Sequence, residues 1–94
     1  MKTVKKVVEV SVDENEHGLG SLLGKKVSIM SVVYHYAGTL VEVNGSCVTL
    51  EDAGIVFDTG DYKNKKYSDY QKLPTDKVYV QIATIEAFFE TTSI

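Results

Sequence analysis

Residues 22–53 read LLGKKVSIMSVVYHYAGTLVEVNGSCVTLEDA, and this stretch decides the fold. Val27, Ile29 and Val33 recur at period-two spacing, with Ser28, Met30 and Val32 on the other face. Leu40, Val41, Val43, Val48 and Leu50 continue the apolar content, a pattern of β-strands rather than of a helix. Asn44-Gly45 separates two of these runs and predicts a hairpin joining residues 36–43 to 47–53, because a type I′ turn needs positive φ at both central residues and this dipeptide supplies it. Gly38, inside the strand before that turn, has no side chain to pack and predicts a sharp bend, a bulge or a close backbone approach.

Working outward, strands are expected at 25–33, 36–44, 47–57, 77–83 and 84–90. TGDYKNKKYSDYQKLPTD, residues 59–76, is polar, lacks apolar periodicity and holds the only proline, Pro74. It is expected to be a loop or an extended hairpin tip, long for a small domain. Upstream, Val8, Val10 and Val12 alternate with Glu9 and Ser11 and predict an extra N-terminal strand. Asp13 and Glu16 have capping-box spacing for a short helix, which Gly18 and Gly20 disfavour.

The 94 residues suit one domain, and 44% hydrophobic content with one proline indicates an ordered globular chain. No apolar run approaches transmembrane length, and charge interrupts the first twelve residues too often for a signal peptide, so a cytoplasmic location is expected. The single cysteine, Cys47, excludes an intramolecular disulfide and a multi-cysteine zinc site; it reads as a small core or rim residue. The net charge is −3, and all ten cationic residues are lysine. Bidentate phosphate recognition and base stacking are specialities of arginine, so any contact with nucleic acid would be more electrostatic than specific.

Leu23, Gly24, Lys25, Val27, Ile29, Tyr36, Gly38, Leu40, Leu50, Asp52 and Ala53 together resemble the first motif of the Sm/LSm family of RNA-binding ring proteins. Residues 78–89, VYVQIATIEAFF, resemble the second motif in length and placement. The resemblance implies an all-β fold, a small, strongly bent five-stranded antiparallel barrel, with an added N-terminal strand or short helix. The whole of 1–94 would be one domain: an extension over 1–21, the first motif over 22–58, a variable loop over 59–76 and the second motif over 77–90. It also implies a homo-oligomeric ring closed by edge pairing between neighbours, for which Val78, Val80, Ile82, Ile85 and Phe88 are the candidate interface residues.

The departures from the family pattern fall on its RNA-reading positions. Gln81 and Ile82 stand where most members carry Arg-Gly and bacterial members Lys-His, and the Met-Asn pair of the first motif is missing beside Asn44, Ser46 and Cys47. If the alignment holds, Asn44, Ser46 and Gln81 are the polar candidates for RNA contact, since amides can read base edges; Asn44 is also simply a turn residue.

A second set of candidates comes from composition. Lys63, Lys65, Lys66 and Tyr67 lie in a segment that interleaves lysine with tyrosine, as a sequence-tolerant single-strand site does. The plain alternative is a solvated loop whose tyrosines pack on the barrel. His35 reads as a contact or, more simply, as a solvated turn histidine.

No enzyme signature, cofactor motif or metal-ligand spacing occurs, and Glu51 and Asp52, adjacent in a strand, point to opposite faces. The expected function is therefore an Sm-like ring that binds single-stranded RNA through a degenerate uridine pocket. The alternative is a structural or protein-interaction ring on the same scaffold.

Overall fold

The computed structural model describes residues 18–94. The N-terminal strand and the Asp13 cap expected above lie outside those residues. A 3-10 helix, Leu19–Leu22, precedes six strands: β1 (Lys26–Ser31), β2 (His35–Val43), β3 (Cys47–Asp58), β4 (Asp69–Lys72), β5 (Lys77–Gln81) and β6 (Ile85–Glu90), with a 3-10 turn, Ile82–Thr84, between the last two. All pairings are antiparallel, in the order β4-β3-β2-β1-β6, with β5 also on β3. No helix of the described residues is long and apolar enough to cross a membrane.

Five of the strands are those expected, with β1, β5 and β6 shortened, β2 starting one residue earlier and β3 ending one residue later, while β4 arises inside the segment read as a loop or hairpin tip. β3 is the longest, at 12 residues, and serves two partners. Cys47 through Glu51 pair with β5, and Gly54 through Asp58 pair with β4.

The change of direction sits opposite Gly38. Ala37 pairs with Gly54 and Thr39 with Glu51, so β3 carries one extra residue there, a β-bulge. Asp52, in the bulge, takes φ 55°, a left-handed conformation that aspartate tolerates better than most residues. A Cβ on Gly38 would lie 2.7 Å from the Ala53 Cβ and 3.0 Å from the Glu51 carbonyl oxygen, which is why that position is a glycine. Gly24 is used differently: with φ 85° its N–H donates to the Leu40 carbonyl at 2.7 Å, and Leu40 N–H donates to the Lys25 carbonyl at 3.0 Å, tying the 3-10 helix to β2.

Val27, Ile29, Leu40, Val48, Leu50, Ala53 and Val80 form the core, closed by Leu19, Leu22, Tyr36, Val43, Val78, Ile82 and Ile85. Each large aliphatic side chain buried there contributes about 1.5–3 kcal/mol. Two details of the sequence pattern are corrected. Val33 leaves the core face and is 75% exposed at the β1–β2 turn, where Ser31 N–H and Oγ–H both donate to the Tyr34 carbonyl. The Asn44 turn is not type I′, since neither Asn44 nor Gly45 has positive φ. Instead the Asn44 side-chain oxygen accepts from the backbone N–H groups of Ser46 and Cys47 at 2.8 and 3.0 Å, an Asx-type closure.

Candidate nucleic-acid interface

Three of the residues selected from sequence converge. Asn44 N–H donates to the Cys47 carbonyl at 3.0 Å, Cys47 pairs with Gln81, and Ile82 N–H donates to the Ser46 carbonyl at 2.9 Å. The β2–β3 turn is therefore clipped to the start of the 3-10 turn, and Asn44, Ser46 and Gln81 share one exposed rim. The Asn44 side-chain oxygen is spent on its own turn, while Nδ2 has only a long 3.9 Å contact to Cys47 Sγ. What Asn44 offers a ligand is thus an N–H donor, suited to a base carbonyl.

The second set of candidates lies elsewhere, in the hairpin between β3 and β4, at the far end of β2 from Asn44. Asp58 and Asp61 accept from the N–H groups of Gly60 and Lys63, each at 2.9 Å, and so shape the tip. Lys63, Lys65 and Lys66 are exposed. Lys66 Nζ donates to the Ile94 carbonyl at 2.9 Å, and for Lys63 and Lys65 no side-chain partner occurs among the described residues.

Tyr67 is not free to stack on a base. Its hydroxyl lies 2.6 Å from Ser28 Oγ and accepts from Thr91 Oγ–H at 3.4 Å, its N–H donates to the Ser93 carbonyl, and its ring meets His35 edge-on at 5.3 Å. These contacts explain why Ser28, on the face opposite Val27 and Ile29, is fully buried. Tyr70 extends the cover, donating to the Ala37 carbonyl at 3.1 Å. Burial, and secondarily the charge of Asp52, raises the pKa of Tyr70 above the ordinary tyrosine value. The tyrosine-rich segment thus forms a second packed layer outside the barrel.

His35 belongs to this layer and is not a solvated turn residue. It is half-buried at the start of β2 between Tyr67 and Phe89. Periodicity could have flagged it: His35 and Ala37 share the strand face that Tyr67 covers.

Of the candidate interface residues, Val80 is buried, Val78, Ile82 and Ile85 pack on the core, and Phe88 is partly exposed. Sequence reasoning passed over Tyr79, which alternates out of phase with Val78 and Val80 and is 64% exposed on β5. Among the described residues, β5 pairs only with β3 and β6 only with β1, so each presents a second, unpaired edge.

This structure is similar to a solved one, that of a heptameric archaeal Sm protein considered for its implications for the eukaryotic snRNP core. The two superimpose with a TM-score of 0.60 over 78% of this chain and 94% of the other, at 17% sequence identity. The fold is Sm-like. No family model matches the sequence, and no curated protein sequence is detectably similar to it.

Proposed function

We propose that the protein is a binding scaffold rather than an enzyme, that it assembles with copies of itself into a closed ring in the cytoplasm, and that the ring binds single-stranded RNA at the rim formed by Asn44, Ser46 and Gln81. One observation carries this reading: β5 and β6 expose two different open edges on either side of the Ile82–Thr84 turn, and the rim is hydrogen-bonded to that same turn. Edge-to-edge pairing of β5 in one copy with β6 in the next is head-to-tail, and such contacts generate rings when the rotation closes. Closure would gather one copy of the rim from every subunit around an axis, so weak contacts would add. The likeness to a heptameric Sm protein supports assembly of this type.

Light scattering coupled to size exclusion, run with labelled oligo-U and oligo-A at low and moderate salt, tests both parts. A ring mass with salt-sensitive co-elution of RNA is the expected result. A monomer at micromolar concentration would remove the ring, and a ring that retains no RNA at low salt would remove the RNA site.

A second reading, a ring that binds protein instead of RNA, is favoured by the net charge of −3, the absence of arginine and the distance of Lys63 and Lys65 from the rim. Substituting Lys63, Lys65 and Lys66 by glutamate, beside Asn44→Ala with Gln81→Ala, separates the possibilities. RNA retention should fall in the rim variant under the first reading and be absent throughout under the second.

A further inference from the structure

His35 Nε2 is buried and has no hydrogen-bond partner among the described residues. A neutral imidazole can leave one nitrogen unprotonated, but an imidazolium carries N–H on both, so charging His35 would bury an ionic donor with nothing to accept from it.

The ring is held by Tyr67 from the hairpin at 5.3 Å and by Phe89 from β6 at 6.5 Å, with Met30 opposite it on β1. The charged groups of these elements are Lys26 on β1, Glu42 on β2, Glu86 and Glu90 on β6, and Lys65, Lys66 and Asp69 around Tyr67. All are exposed. None of them stabilises the cation. Burial alone holds the His35 pKa below the ordinary histidine value.

Tyr67 is also the fastening point of two other segments. It anchors the hairpin through Ser28, and the C-terminal residues through Thr91 and the Ser93 carbonyl, with Lys66 adding the Ile94 carbonyl.

We infer that the His35–Tyr67 contact is a pH-operated latch: a proton taken up from solvent by His35 releases the hairpin tip and residues 91–94 from the outer face of the sheet. Tyr67 is the nearer of the two rings against His35, and its displacement would bring the orphaned nitrogen to water. Because the closed form binds the proton less readily than the open form, closure is fully favoured above about pH 6.5. It weakens as pH falls, by up to about tenfold in the open-to-closed ratio per pH unit, until the closed form titrates as well. Opening would uncover Ser28 and Phe89 beside the free edge of β6, so acidity would act on the surface next to that edge.

The test is an NMR titration of the full chain between pH 8 and 5. The reference is a free histidine side chain, with a pKa of about 6.5. The expected result is a His35 midpoint below that value. Amide resonances of Tyr67 and Ser93 should shift with the His35 midpoint, and below about pH 6.5 the exchange protection of Tyr67 N–H should fall by up to about tenfold per pH unit. His35→Phe keeps an aromatic ring in the cage and should make that protection independent of pH. A His35 midpoint at or above about 6.5, a titration without change at Tyr67, or an equal loss of protection in His35→Phe would overturn the latch. If the variant does not fold, the titration of the unaltered chain decides alone.

Discussion

The two halves of β3 do different work with the same backbone. Cys47–Glu51 lies between β2 and β5 and buries Val48 and Leu50 completely, whereas Gly54–Asp58 lies between β2 and β4 and leaves Phe57 55% exposed. The first half is barrel wall, and the second is the stem of a hairpin that folds back over the outside. Between them the bulge at Asp52 and Ala53, facing Gly38, turns the strand. Core formation and hairpin placement are therefore separable properties, joined at a hinge of about three residues.

Substitutions should break or sharpen that division. The largest effect is expected for Gly38→Val, because the added Cβ meets the Ala53 Cβ and Cα and the Glu51 carbonyl at 3.0 Å or less, most of it backbone that cannot move aside. Both halves of β3 depend on the hinge, so the loss should exceed about 3 kcal/mol in urea denaturation and leave little folded protein.

Gly54→Ala should touch one half only. Its Cβ would collide with the Gln71 carbonyl oxygen and approach Tyr70 Cζ at 2.8 Å, displacing β4. A cost of about 1–3 kcal/mol is expected, with chemical-shift changes confined to β4, the hairpin and the residues under them. Equal changes at Leu40, Val48 and Leu50 would show that the two halves are not separable.

Tyr67→Phe removes the hydroxyl that meets Ser28 and leaves Ser28 Oγ buried without a partner, for about 1–2 kcal/mol, read as faster amide exchange in the hairpin before global unfolding.

Asp52→Asn should matter least. The Lys72–Asp52 ion pair is more than half exposed on both sides, and asparagine accepts the same left-handed backbone. A change within about 1 kcal/mol, vanishing in high salt, is expected. The same variant deletes the lesser of the two causes that raise the Tyr70 pKa. Tyr70 should therefore ionise closer to the ordinary tyrosine value while burial still holds it above.

The sequence pattern made the barrel half legible and the hairpin half largely not. Val27, Ile29, Leu40, Val48 and Leu50 advertise their strands because one face is dry, and Gly38 marks the bend because no side chain fits there. Asn44 correctly marked a hairpin, although the turn closes through the asparagine side chain rather than through positive φ.

By contrast, DYQK at 69–72 has no apolar alternation, since β4 is held by hydrogen bonds to β3 and by one tyrosine reaching the Ala37 carbonyl. The roles of Tyr67 and His35 depend on a contact between residues 39 positions apart, Ser28 and Tyr67, which no local pattern encodes. For the rim, sequence singled out Asn44, Ser46 and Gln81, and the hydrogen bond from Ile82 to the Ser46 carbonyl brings their segments together. It grouped Lys63, Lys65 and Lys66 with them by chemistry alone, and the fold places those lysines at the other end of β2.

The pairing of β6 with β1 sets the order in which the chain can fold. Met30 opposite His35 and Val43 opposite Val48 are neighbours along the chain and can meet within microseconds of collapse. Val27 opposite Glu90 spans nearly the whole described length, so its loop-closure entropy must be met after the β1–β3 meander exists. Until then β1 offers an unsatisfied edge of its own, of the kind that recruits stray strands. Slow refolding limited by the arrival of β6, with a yield that falls as protein concentration rises, follows from that single register.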